Sequence, residues 1–73
     1  MRVKRYGKSA QIIQIRVDIY PDTRTIKSSV VLEDGTGESS EKSVENESVF
    51  YYGHDRMLEI IEEEIKKALR KFI

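Results

Sequence analysis

Hydrophobic and polar residues change rhythm along this chain, and each rhythm predicts an element. Residues 12–20, IIQIRVDIY, alternate with a period of two. Ile13, Ile15, Val17 and Ile19 point one way, and Gln14, Arg16, Asp18 and Tyr20 the other, as in a half-buried strand. Pro21-Asp22-Thr23-Arg24 follows. Proline presets φ and Asp bonds its own backbone two residues on, so a tight reversal is predicted. Residues 25–33, TIKSSVVLE, supply the returning strand, which makes 12–33 a β-hairpin. With Tyr20 opposite Thr25, one face pairs Ile19 with Ile26, Val17 with Ser28, Ile15 with Val30 and Ile13 with Leu32. The other face pairs Asp18 with Lys27 and Arg16 with Ser29, and puts Ile12 beside Val31. A one-residue slip would set apolar against charged positions throughout.

Residues 34–48, DGTGESSEKSVENES, hold one apolar residue, Val44. So polar a stretch reads either as an acidic loop or as a thin hairpin turned at Asp34-Gly35-Thr36-Gly37. Residues 48–52, SVFYY, are β-branched and aromatic and predict a further strand. From 55 to 72 the period becomes helical, with Asp55 as the expected N-cap. Leu58, Ile61, Ile65, Ala68, Leu69 and Phe72 share one stripe, the predicted core face. Ile60 falls about 140° away, at 100° per residue, among Glu63, Lys67 and Lys71. The expected fold class is α+β: a small antiparallel sheet of three or four strands, hairpin first, with one C-terminal helix on one face.

Composition narrows the function classes. The chain has 73 residues, thirteen Lys+Arg, thirteen Asp+Glu and no cysteine. That length suits one small domain. Lack of cysteine excludes disulfides, thiolate metal sites and thiol nucleophiles. No apolar run is long enough to span a bilayer, and no secretory leader follows Met1, so a cytoplasmic protein without membrane partners is expected. A 36% charged content also suits a thermophile. A core this small calls for a supplement, and with neither disulfides nor a metal site a homodimer is the simplest one.

Net charge is zero, but charge is segregated. Residues 1–16 carry Arg2, Lys4, Arg5, Lys8 and Arg16 with no acid, whereas 17–49 carry eight acids against three bases. Residues 1–10 therefore read as a basic N-terminal arm. Arg2, Lys4, Arg5, Lys8 and Arg16, with Tyr6 for stacking, are the candidate nucleic-acid contacts. The alternative is a solvated terminus. Tyr51, Tyr52, Met57 and the off-stripe Ile60 are the candidate protein-interface residues.

Other constellations carry less. His54-Asp55 lacks the nucleophile and oxyanion site that a catalytic triad requires. Glu59, Glu62, Glu63 and Glu64 spread around a helix, and Glu62 and Glu63 have Lys66 and Lys67 four residues on. From Asp34, the twelfth position of a calcium loop would be Glu45, but the glycine required at the sixth is Ser39. No catalytic, cofactor-binding or metal-ligating residue is assigned.

Residues 14–23, QIRVDIYPDT, followed by Lys27, resemble the first hairpin of the three-stranded, one-helix arm-binding domains of tyrosine recombinases. Those domains set their sheet in the major groove of DNA, and the resemblance implies DNA binding through the sheet. It covers about fifteen residues. The long acidic Ser/Glu segment and the lack of a Thr-Lys-x-Glu-Ala type of helix start depart from that family. The function expected is a small non-catalytic interaction or regulatory protein, homodimeric and acting by binding another macromolecule. The alternative is a small nucleic-acid-binding regulator using the basic N-terminus and the hairpin.

Overall fold

A computed structural model describes residues 1–72. Four strands form an antiparallel sheet in chain order: β1 (Arg2–Arg5), β2 (Lys8–Tyr20), β3 (Thr25–Leu32) and β4 (Gly37–Ser43). Two helices follow, α1 (Glu47–Tyr52) and α2 (His54–Arg70). The fold is α+β, a curled four-stranded sheet with a C-terminal helix on one face.

The β2–β3 hairpin pairs Tyr20 with Thr25, Ile19 with Ile26, Val17 with Ser28 and Ile15 with Val30, as the alternation predicts. The expected Ile13–Leu32 pair is replaced by Ile12–Leu32. A bulge between Ile12 and Gln14 absorbs one residue, so Ile12 lies on the helix-covered face and not beside Val31. Two adjacent isoleucines make this shift inexpensive, because either one can face the core.

Residues 1–10 are not a free arm. β1 folds back on the start of β2 through a Tyr6-Gly7 turn with φ of 53° and 77°. Positive φ at both central residues matches the right-handed twist of a two-residue hairpin, and Gly7 adopts it without strain. Arg5 donates to the Gly37 carbonyl at 3.1 Å and approaches Glu38 at 3.5 Å. It also lies 5.7 Å from the Phe72 ring centre. One guanidinium thus ties β1, the β3–β4 turn and the end of the helix together.

Of the two readings of 34–48, the thin hairpin is realised. Asp34 accepts from the Thr36 amide at 2.9 Å and its hydroxyl at 2.6 Å, shaping the turn into β4. These bonds hold the Asp34 carboxyl below its ordinary range. A Cβ at Gly37 would collide with the Val30 carbonyl, so the crossing needs glycine. Residues 48–52 are helical, not a strand. Asn46 caps α1 by accepting from the Val49 amide at 3.2 Å, and Val49 and Phe50 pack on the core. The sheet position expected for them is taken by the polar β4.

α2 begins at His54 with Gly53 as its N-cap and no side-chain capping bond. Asp55 therefore sits in the first turn, where its charge complements the helix dipole, and is not the cap. The buried helix residues are Ile60, Glu64 and Ala68. They meet alternate residues of β3, namely Ile26, Ser28, Val30 and Leu32, all fully buried. The core-facing stripe is thus rotated from the expected one. Leu58 is exposed, and Ile61, Ile65, Leu69 and Phe72 are half-covered at the flank.

The reason for the rotation is polar. The Glu64 carboxylate is fully buried, accepting from the Ser40 hydroxyl and from Lys67 Nζ at 3.0 Å. Lys71 Nζ donates to the Ser39 carbonyl. These bonds hold α2 over β3 and β4. Burial pushes the Glu64 pKa up, but the Ser40 and Lys67 hydrogen bonds, with the charges of Lys67 and Lys42, outweigh it. The group therefore lies below its ordinary value of 4.5.

Candidate interaction surface

Because α2 sits over β3 and β4, the same face of β2 is left without a cover. Ile15, Val17 and Ile19 lie opposite the buried Val30, Ser28 and Ile26. Yet they are 47%, 40% and 51% exposed, with Ile13 at 62% and Leu58 on α2 at 63%. Ser39 and Ser40 on β4 engage the Glu64–Lys71 side of the helix. The Leu58, Ile61, Ile65 and Leu69 flank is therefore turned toward β2. Two apolar patterns, one from a strand and one from a helix, converge on a single uncovered face. Together their exposed surface amounts to roughly 450 Å², within the range of the largest apolar patches on monomers, which are often functional.

Surface and shape agree with that reading. A compact chain of 8.5 kDa is expected to expose about 4,650 Å². This one exposes 5164 Å². Its radius of gyration is 13.6 Å and its extents are 42 × 19 × 16 Å. A compact chain of this length would have a radius near 11 Å. The long axis is about the length of the thirteen-residue β2 at roughly 3.3 Å per residue.

The two sheet edges differ. At one side, β4 reads GESSEKS, polar and charged, as guarded edges are. At the other side, β1 covers β2 only over Lys8–Gln11, extended by the Ile12 amide donating to the Met1 carbonyl at 2.9 Å. From 14 to 20, among the described residues, no strand pairs with that side of β2. This edge is long, apolar on one face and unblocked.

The candidate residues named above separate into groups. Met57 packs on the core and Ile60 is 3% exposed within it, so Ile60 is a core residue and not a surface probe. Tyr51 and Tyr52 are exposed on α1. Among the basic candidates, Arg2 is engaged by Ser9 at 2.9 Å and Glu33 at 3.8 Å, Arg5 by Gly37 and Glu38, and Arg16 by Asp18 at 3.0 Å. Tyr6 projects from the tip of the β1–β2 turn, with Lys4 and Lys8 exposed nearby. The alternation marks the apolar face of β2, and nothing in it shows that the helix leaves that face uncovered.

Among the described residues no helix is long and apolar enough to cross a membrane, and no group of three or more His, Asp or Glu is placed to hold a metal. Comparison with family models, curated proteins and solved structures returns no match.

Proposed function

We propose that this chain is a non-catalytic interaction module that works as a homodimer and acts by occupying a surface on another macromolecule. The observation that carries this reading is the uncovered apolar face formed by Ile15, Val17 and Ile19 with the Leu58 flank of α2. An apolar face of this size in water is a standing drive toward association. Sedimentation equilibrium over a hundredfold concentration range tests it. A mass of two chains, reduced to one by Ile15→Lys with the far-ultraviolet circular dichroism retained, is the expected result. A single-chain mass throughout would overturn it.

A second reading has one observation in its favour. Tyr6 at a hairpin tip flanked by Lys4 and Lys8 presents an aromatic face and two exposed ammonium groups to a nucleic-acid backbone. Binding to single-stranded DNA or RNA would then weaken linearly in log salt, and Lys4→Ala with Lys8→Ala would reduce the slope.

A further inference from the structure

Resting on the homodimer reading, we infer that two copies join edge to edge through β2, antiparallel, about a twofold axis at Val17. Two four-stranded sheets would become one of eight strands with both helices on the same face.

The available edge defines where this can happen. On the unpaired side of β2, β1 and the Met1 carbonyl occupy the strand up to Ile12, and Pro21 ends it. The bulge lies at Ile13. What remains is 14–20, and its midpoint is Val17. Antiparallel pairing over this window consumes the whole free edge and leaves none beyond it.

The side chains select the same centre. With Val17 opposite the partner's Val17, Ile15 meets the partner's Ile19 and Ile19 the partner's Ile15. On the other face Arg16 meets the partner's Asp18, and Asp18 the partner's Arg16. Within one chain Arg16 already holds Asp18 at 3.0 Å, so the twofold closes two such pairs into a ring of alternating charge. Directly opposed residues in antiparallel strands interact most strongly, and like charges there are unfavourable. A centre at Arg16 would oppose the two arginines, and a centre at Asp18 the two aspartates. A centre between residues would oppose outward-pointing backbone groups to inward-pointing ones, so two copies of this one edge cannot pair that way. Among centres in the window, Val17 matches apolar to apolar and opposite to opposite. An isologous contact needs this kind of self-complementarity.

Charge reversal tests the register. R16D alone opposes like charges in its homodimer, and so does D18R alone. A mixed dimer of one R16D chain and one D18R chain opposes unlike charges at both positions. The expected result is a self-association constant weakened at least about tenfold for each variant, with a mixed dimer restored in the equimolar solution. Independently, the chain has no cysteine, so V17C introduces a single thiol. Residues opposed on the twofold lie about 4.5–5.5 Å apart at Cα, within disulfide reach. Mild oxidation of V17C should give a covalent dimer. I15C should crosslink poorly alone but efficiently when mixed with I19C. A wild-type dimer in which mixing restores nothing and V17C stays uncrosslinked would overturn this register and leave the homodimer reading standing. A wild-type monomer would overturn both. If R16D or D18R loses its circular dichroism signal, the crosslinking pattern decides.

Discussion

At the scale of single residues, the inner seam between sheet and helix is unusual in being partly polar. Glu64 replaces an apolar residue at its centre, bonded to Ser40 and Lys67. Its pKa is depressed on folding, so the unfolded chain binds its proton more tightly. Stability from this group is therefore present above the ordinary value of 4.5 and is lost as pH falls through the lower folded value. Urea midpoints from pH 6 to pH 3 should fall for the wild type, and less for Glu64→Gln. Ser28, opposite both Val17 and Ser40, has a fully buried hydroxyl with no partner among the described residues. Ser28→Ala should be neutral or stabilising by up to about 1 kcal/mol, since it removes an unsatisfied donor. Ile60→Ala should cost about 2–4 kcal/mol in denaturant unfolding, as for other buried branched residues. Ile60 shows where apolar counting misleads. Its angular neighbours are charged, so the helical pattern puts it outside. The buried position follows only once a carboxylate at Glu64 is allowed inside, and a pattern of apolar residues cannot propose that.

At the scale of elements, the parts with regular alternation were readable and the parts held by tertiary partners were not. The hairpin register from Ile15 to Tyr20 followed from matching two alternating strands. The bulge at Ile13 did not, because Ile12 and Ile13 satisfy the core equally. β4 has no alternation at all. It exists because β3 offers a template and because Ser40 and Ser39 are tied to α2. α1 reads as a strand by propensity, but the Asn46 cap and the packing of Val49 and Phe50 decide for helix. Asn46→Ala should lower stability by about 1 kcal/mol in thermal or chemical unfolding, with most of the loss confined to amide protection in α1. β1 was hidden because its residues are basic, and its hairpin is defined by two positive φ angles that only Gly7 announces.

At the scale of the whole molecule, alternation picks out the apolar positions of β2 but not what covers them. Alternation says that Ile15, Val17 and Ile19 seek burial, but not whether the cover is intramolecular. The single helix is held over β3 and β4 by Glu64, Lys67 and Lys71, and no second layer reaches β2. If a second copy supplies the missing neighbour, folding and association are linked. The unfolding midpoint should then rise with protein concentration, by an amount set by the dimer dissociation constant. A scanning calorimetry series from micromolar to millimolar chain would show this, and a midpoint independent of concentration would separate the two processes.

The short β1 strand, tied by the Tyr6-Gly7 turn, has a consequence for how assembly ends. By occupying the edge of β2 up to Ile12, it would act as a stop on the proposed pairing and keep its window finite. Gly7→Val would force a β-branched side chain into a φ of 77° and loosen that stop without shortening the chain. The exposed edge would then run from Lys8 to Tyr20, long enough to accept several registers and more than one neighbour. A closed pair would give way to open-ended growth, visible as time-dependent light scattering that the wild type does not show. If β2 pairs with a second copy, the backbone of β1 is what would keep that pairing closed.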